Sequence, residues 1–357
     1  MVSEFRDLAK VVTSVLCLTL LVVGSGCDAI KSAAQKKEEA SPVPVAPVAE
    51  APATPAPGPA PPAPVAKTPQ QIIDEFMAMP SVEKRNEHLQ QLAELKEGLD
   101  AITSLDLTRS GVSDEGLKTL TAFPKLTELI LSDSRVGNAG MVSVAEVQTL
   151  RTLTLANLRG LDDIGIQNLS PLKDLVSLTV SACAVSDGVL PTLAGFEGLQ
   201  VLNLSGNSEL YGRDFKVLLA KKAFRNLREL NVNGSKFGWY GLEEIGKLGQ
   251  LEVLRASGCE AVGKALNLAG CDDLKVLEIS RNQMQDDNIK GINRLKKLEE
   301  LRLAGMPLTD ECLKSIRTMK HLKVLDLDST NVTLEAIKAL KEKSLPDTEI
   351  LAGGQKF

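Results

Sequence analysis

The side chains of this 357-residue chain that could do chemistry are few and scattered. His88 and His321 stand far apart, with no run of Cys or acids at ligand spacing beside either. Six cysteines occur, at 17, 27, 183, 259, 271 and 312, and no two form a Cys-x-x-Cys pair. Adjacent carboxylates at Asp162-Asp163 and Asp286-Asp287 could face a metal. Each pair instead opens an apolar pattern of helical period, so they are expected to be helix starts whose charge suits the dipole. No phosphate-cradling Gly-rich loop, Gly-x-Ser-x-Gly elbow or His-Glu-x-x-His pair is present. We therefore expect no catalytic residue, no metal site, no small-molecule cofactor and no enzyme activity. The net charge of −5 carries no basic stripe, which argues against nucleic acid.

Cys27 differs from the other cysteines in its surroundings. Residues 11–23 are an apolar run, preceded by Arg6 and Lys10 and followed by Gly24-Ser25-Gly26. A membrane span needs about 20 apolar residues, so the run better suits the core of a secretory signal. The arrangement resembles the bacterial lipoprotein signal, which implies lipid attachment at Cys27 and cleavage before it. It departs from that pattern at Gly24, where an aliphatic residue is usual, and in the acidic Glu4 and Asp7. A soluble exported protein and an uncleaved anchor are the alternatives. The resemblance implies an exported protein held in the cell envelope, anchored to a membrane by lipid. Asp28 resembles a retention signal that some bacteria read, so which membrane stays open.

Residues 1–26 are thus expected to be a signal peptide and 27–68 an Ala/Pro-rich linker. Eleven of the chain's 17 prolines fall in 42–69. Proline fixes φ and cannot donate a backbone hydrogen bond, so extended chain is expected. At about 3.1 Å per residue the segment would reach roughly 80 Å.

From residue 102 the chain repeats. The unit L-x-x-L-x-L recurs as LTELIL (126–131), LRTLTL (150–155), LVSLTV (175–180), LQVLNL (199–204), LRELNV (227–232), LEVLRA (251–256), LKVLEI (274–279), LEELRL (298–303) and LKVLDL (322–327). ITSLDL (102–107) opens the series and a degenerate LPDTEI (345–350) closes it. Spacings of 23–25 residues, with one of 28, predict a solenoid in which each unit is a short strand, a turn and a short helix. Ser or Thr before Asp at 113–114, 186–187 and 309–310 predicts helix caps.

This resembles the leucine-rich repeat family, most closely its cysteine-containing, ribonuclease-inhibitor-like helical repeats. Three residues past the last leucine of the strand the family favours Asn or Cys. Here Ser110, Ser134, Cys183, Asn207, Ser235, Cys259, Asn282 and Thr330 stand there, with Leu158 and Met306 as departures. The resemblance implies an α/β horseshoe over 101–357, about ten repeats plus a terminal partial one, parallel strands inside and helices outside. Strand spacing of about 4.8 Å against helix spacing of about 8–10 Å explains that curvature. Residues 69–100 carry an apolar stripe and a central Pro80, and are expected to form a helical N-terminal cap. The thiols at 183, 259, 271 and 312 are expected free and buried, with Cys259–Cys271 the one conceivable bridge.

The residue between the last two strand leucines should face the concave side. The candidate binding row is Thr154, Thr179, Asn203, Asn231, Arg255, Glu278, Arg302 and Asp326. Its last four alternate in sign, as do Arg228, Glu252, Lys275, Glu299 and Lys323 beside them, which would neutralise each other. A second candidate is an edge aromatic patch of Tyr211, Phe237, Trp239 and Tyr240, holding the chain's single Trp and both Tyr. The expected function is non-catalytic binding of a protein or peptide by a tethered repeat module. The alternatives are a structural spacer or assembly component of the envelope, and a ubiquitin-ligase-type adapter, disfavoured because no F-box pattern occurs.

Overall fold

The computed structural model describes residues 67–357; the signal-like run, Cys27 and the segment up to residue 66 lie outside the described residues. Eleven strands follow in chain order and pair parallel, each with the next. They are β1 (Ser104–Asp106), β2 (Glu128–Ile130), β3 (Thr152–Ala156), β4 (Ser177–Ser181), β5 (Val201–Asn203) and β6 (Glu229–Asn231), continued by β7 (Val253–Arg255), β8 (Val276–Glu278), β9 (Glu300–Arg302), β10 (Val324–Asp326) and β11 (Glu349–Ala352). A final strand β12 (Gln355–Lys356) folds back antiparallel on β11.

Period-two alternation sets the register. One leucine per unit aligns across the sheet, from Leu105 and Leu129 through Leu153, Leu178, Leu202, Leu230, Leu254, Leu277 and Leu301 to Leu325. All are buried in one continuous core with the apolar residues of the convex side. The closing unit departs from the expected frame. Leu325 pairs with Ile350, so the strand begins two residues later than LPDTEI implies. Thr348 is buried outside the strand, where its hydroxyl donates to the Leu322 carbonyl at 2.7 Å.

At the end of each strand the chain turns through one left-handed residue: Arg109, Asp133, Asn157, Ala182, Arg281 and Ser329, or glycine at 206, 234, 258 and 305. The N–H of this residue reaches the neighbouring coil, as in Arg109 to Ser132 O at 2.8 Å and Ala182 to Ser205 O at 2.9 Å. The inter-coil bond offsets the backbone strain, so the position recurs even without glycine.

The small polar residue that follows lies inside the turn. Asn207 Nδ2 donates to the carbonyls of Val180 and Leu204, at 2.7 and 2.9 Å, while its Oδ1 accepts from Cys183 N at 2.9 Å. Asn282 joins Ala256, Ile279 and Cys259 in the same way. Ser134, Ser235 and Thr330 each donate to a carbonyl of their own coil, and Ser235 also meets the Cys259 thiol of the next coil at 3.8 Å.

Convex helices are short and uneven: α3 (Asp114–Leu117), α4 (Asn138–Ala145), α5 (Asp163–Asn168), α6 (Leu190–Leu193), α7 (Phe215–Ala220), α8 (Gly238–Ile245), α9 (Leu313–Ile316) and α10 (Leu334–Lys343), with 3₁₀ turns elsewhere. The acidic pairs at 162–163 and 286–287 stand at helix starts. Ser186 and Thr309 cap as expected and Thr333 caps the last helix, but Ser113 does not; Asn86 holds it instead. Aspartates beside these caps do more than complement a dipole. Asp187 accepts from the N–H groups of Tyr211, Gly212 and Arg213 in the next unit. Asp286 holds Thr309, and Asp310 holds Thr333, by backbone and hydroxyl.

One unit breaks the expected pattern. Between β7 and β8 the chain has no helix and runs irregularly through residues 263–268. Gly246 at the end of α8 permits this: an added Cβ would fall 2.1 Å from the Asn267 carbonyl oxygen. The backbone takes the space that a helix would need.

Before β1, helices α1 (Pro69–Ala78) and α2 (Asn86–Ala93) contribute Ile73, Phe76, Leu89 and Leu92 to the core. Lys84, 5% exposed, donates to the Asp106 carbonyl at the free edge of β1 and lies 4.8 Å from the Phe76 ring centroid.

Candidate functional site

Along the open sheet face, the candidate row is in strict register. Thr154 aligns with Thr179, then Asn203, Asn231, Arg255, Glu278, Arg302 and Asp326. All eight are half-exposed, because the apolar residues on either side of each are buried in the core. The row divides in two.

In the C-terminal half the charges engage one another. Arg255 lies 3.7 Å from Glu278 and 3.9 Å from Glu229. Arg302 pairs with Glu300 and, at 3.9 Å, with Asp326. Glu278 also accepts from Ser257 Oγ at 3.1 Å. The neighbouring row does likewise: Glu252 sits between Arg228 at 2.5 Å and Lys275 at 2.6 Å, and Glu299 meets Lys323 at 2.6 Å. Hydrogen bonds from Lys275 and Arg228 hold the Glu252 carboxyl below the ordinary range, and Lys323 does the same for Glu299.

In the N-terminal half the face is neutral and under-used. Strands β3 and β4, five residues each, present Thr152, Thr154, Ser177 and Thr179. Among the described residues none of these four hydroxyls is hydrogen-bonded to another protein group, whereas Asn203 and Asn231 spend Oδ1 on the N–H groups of Ser205 and Asn233 at 3.0 Å. This half offers donors and acceptors that are not already taken.

The expected edge patch is not one surface. Phe237 is a core residue, 0% exposed, set edge-on to Phe215 with centroids 5.3 Å apart. The signal was in its position, five residues past the last apolar residue of the L-x-x-L-x-L unit, where Val112, Val136 and Val185 are also buried. Tyr211 is half-buried, with Arg213 4.4 Å over its ring. Trp239 is sandwiched: Tyr240 stacks on it at 3.9 Å, and the Lys264 amine lies 3.3 Å from its centroid. That sandwich clamps α8 to the helix-less unit, beside a cavity of about 150 Å³ lined by Leu242, Leu266 and Met284. Only Tyr240, 62% exposed, presents a ring broadly to solvent.

The thiols are built into the turns and core. Cys259 Sγ donates to the Val232 carbonyl at 3.0 Å and Cys271 to that of Ile245 at 3.4 Å. Burial pushes Cys259 up to about 11 and Cys271 and Cys312 up to about 12. His88 accepts from the Arg85 N–H at a helix start, and His321 is exposed. Among the described residues no group of three or more His, Cys, Asp or Glu could hold a metal, and no helix is long and apolar enough to cross a membrane.

Comparison with known proteins agrees with this architecture. A family model described as a leucine-rich repeat matches residues 102–120, 124–145 and 318–341. A protein of Trypanosoma equiperdum, named as a candidate adenylate cyclase regulatory protein, is 28% identical over 197 residues, 55% of this chain and 30% of that protein. The chain thus spans less than a third of that relative's length. Among solved structures, an internalin (InlF) from Listeria monocytogenes superposes with a TM-score of 0.55 at 18% identity, covering 76% of this chain and 77% of that one. The Leptospira interrogans leucine-rich repeat protein LIC12759 gives 0.50 at 20% identity, over 74% of each chain. Residues from Ser104 onward therefore fold as a leucine-rich repeat solenoid.

Proposed function

We propose that the chain is a non-catalytic binding module whose open sheet face receives a protein or peptide partner. The observation that carries this is the neutral half of the face, where Thr154, Thr179, Asn203 and Asn231 stand in register at half-exposure with unspent hydrogen-bonding capacity. A partner's backbone or polar side chains could pair with them at little desolvation cost. The charged half, already paired within itself, acts as a register and exclusion surface more than a source of affinity. Tethering by lipid at Cys27 in the cell envelope is part of the proposal, supported by the apolar run, the Gly-Ser-Gly-Cys junction and the proline-rich spacer. The turn thiols Cys183 and Cys259 support a cysteine-containing repeat subtype.

A photo-cross-linking residue at Thr179 or Asn203 of the full chain, in intact cells, tests the binding face. A discrete adduct from these positions, and none from the exposed convex Val142 or Ile164, is expected. Equal adducts from both faces would overturn it. Mass spectrometry of the mature N-terminus tests the anchor: a diacylglyceryl-modified Cys27 is expected, and an unprocessed Met1 contradicts it.

A further inference from the structure

Two adjoining cavities, of about 460 and 670 Å³, lie along the edge where the chain passes from helix back to strand. They share Gly195 and Glu197, and together they cross the units that lead into β4, β5 and β6. The wall at one end is the turn after α7, in the unit that is four residues longer than its neighbour. That turn is held firmly. Lys222 and Phe224 both take left-handed backbone, and the buried Phe224 stacks on Phe215 with centroids 5.3 Å apart. Strained turns of this kind persist only where packing fixes them.

The lining is amphipathic and carries an uncompensated charge. Arg151 pairs with Asp174 at 3.1 Å and Arg225 with Glu197 at 3.5 Å, which uses up both carboxylates. Lys173, Lys221 and Lys222 also line the cavities, and none has a carboxylate partner among the described residues. Three surplus cations therefore surround a floor of Ala194, Leu218 and Ala223, in a chain whose net charge is −5. On the sheet face, by contrast, the cations are matched by carboxylates on the next strand.

We propose that this groove docks an extended acidic peptide segment of a partner protein, with apolar side chains between its carboxylates. Charge complementarity selects the acidic residues, and the apolar floor takes what lies between them. A lone phosphate would leave that floor uncovered, and lysines around a recess suit a chain entering it better than the plane of a bilayer. This surface is separate from the open sheet face, so its failure leaves the binding-module proposal standing.

The test is fluorescence anisotropy of the full chain with a labelled twelve-residue peptide alternating Glu with Leu and Ala. Inorganic phosphate and phosphatidylglycerol vesicles serve as rival probes. Salt-sensitive peptide binding is expected, weakened about tenfold or more by Lys221→Glu/Lys222→Glu and several-fold by Lys173→Ala. An equal charge change on α10, Lys338→Glu/Lys343→Glu, should alter it less than about twofold. Equal loss from both double variants, no peptide binding at low salt, or binding to vesicles without binding to peptide would each overturn the proposal.

Discussion

At the scale of the residue, the molecule is held by small polar groups placed where backbone would otherwise be stranded. Asn282, 2% exposed, serves carbonyls of two coils and a neighbouring N–H. Removing it leaves those groups buried without partners, so Asn282→Ala is expected to cost about 2–4 kcal/mol in chemical denaturation. Asn282→Ser, which can still reach one carbonyl as Ser235 does, should cost roughly half as much. The thiols supply a second prediction. Because burial raises Cys259, Cys271 and Cys312, little thiolate is present near neutrality and access is closed. Mass spectrometry after alkylation at about pH 8 should find these three unmodified in the folded protein and modified after denaturation. Labelling of the native chain at Cys259 would contradict that.

At the scale of the element, each coil is joined to the next through its turn. Ala182, with φ of 49°, accepts a conformation that glycine adopts freely. Replacing it by glycine relieves about 1–2 kcal/mol of strain and costs about 0.5–1 kcal/mol in unfolded-chain entropy. A net gain of about 0.5–1 kcal/mol is expected for Ala182→Gly, and a loss for Gly206→Ala at the equivalent place; calorimetry decides both signs. Strands and their inward leucines were legible in the sequence, because period two and a fixed spacing point to one answer. The helix-less unit after β7 was not, since whether that chain coils or runs irregularly depends on how closely Gly246 lets the next coil approach. The roles of Asp187, Asp286 and Asp310 were half legible. Their place at helix starts was plain, but their true partners lie one coil away and exist only once the coils stack.

At the scale of the whole molecule, stability is spread along a stack in which each coil packs chiefly on its neighbours, and the charged half of the sheet contributes a pH-dependent part. The folded-state carboxyls of Glu252 and Glu299 lie below their ordinary value of 4.5. Their contribution is therefore complete above that value and is lost as pH falls through the depressed folded one. Unfolding midpoints should fall as pH drops below about 4.5, and Glu252→Gln/Glu299→Gln should flatten that fall. An unchanged profile would show that the ladder contributes nothing. The candidate row was readable residue by residue, but its division into a paired half and an open half was not, because pairing depends on side-chain reach between strands. The aromatic patch misled for a related reason: rings only three residues apart in sequence face opposite ways, Phe237 inward and Tyr240 outward.

The central claim is that the neutral half of the open face binds the partner. Its most direct measurement is the affinity of the cross-linked partner, once identified, for Thr154→Arg/Thr179→Arg. A loss of at least about tenfold with an unchanged melting temperature is predicted. Unchanged affinity in that variant, with the loss appearing instead in Trp239→Ala/Tyr240→Ala, would contradict it.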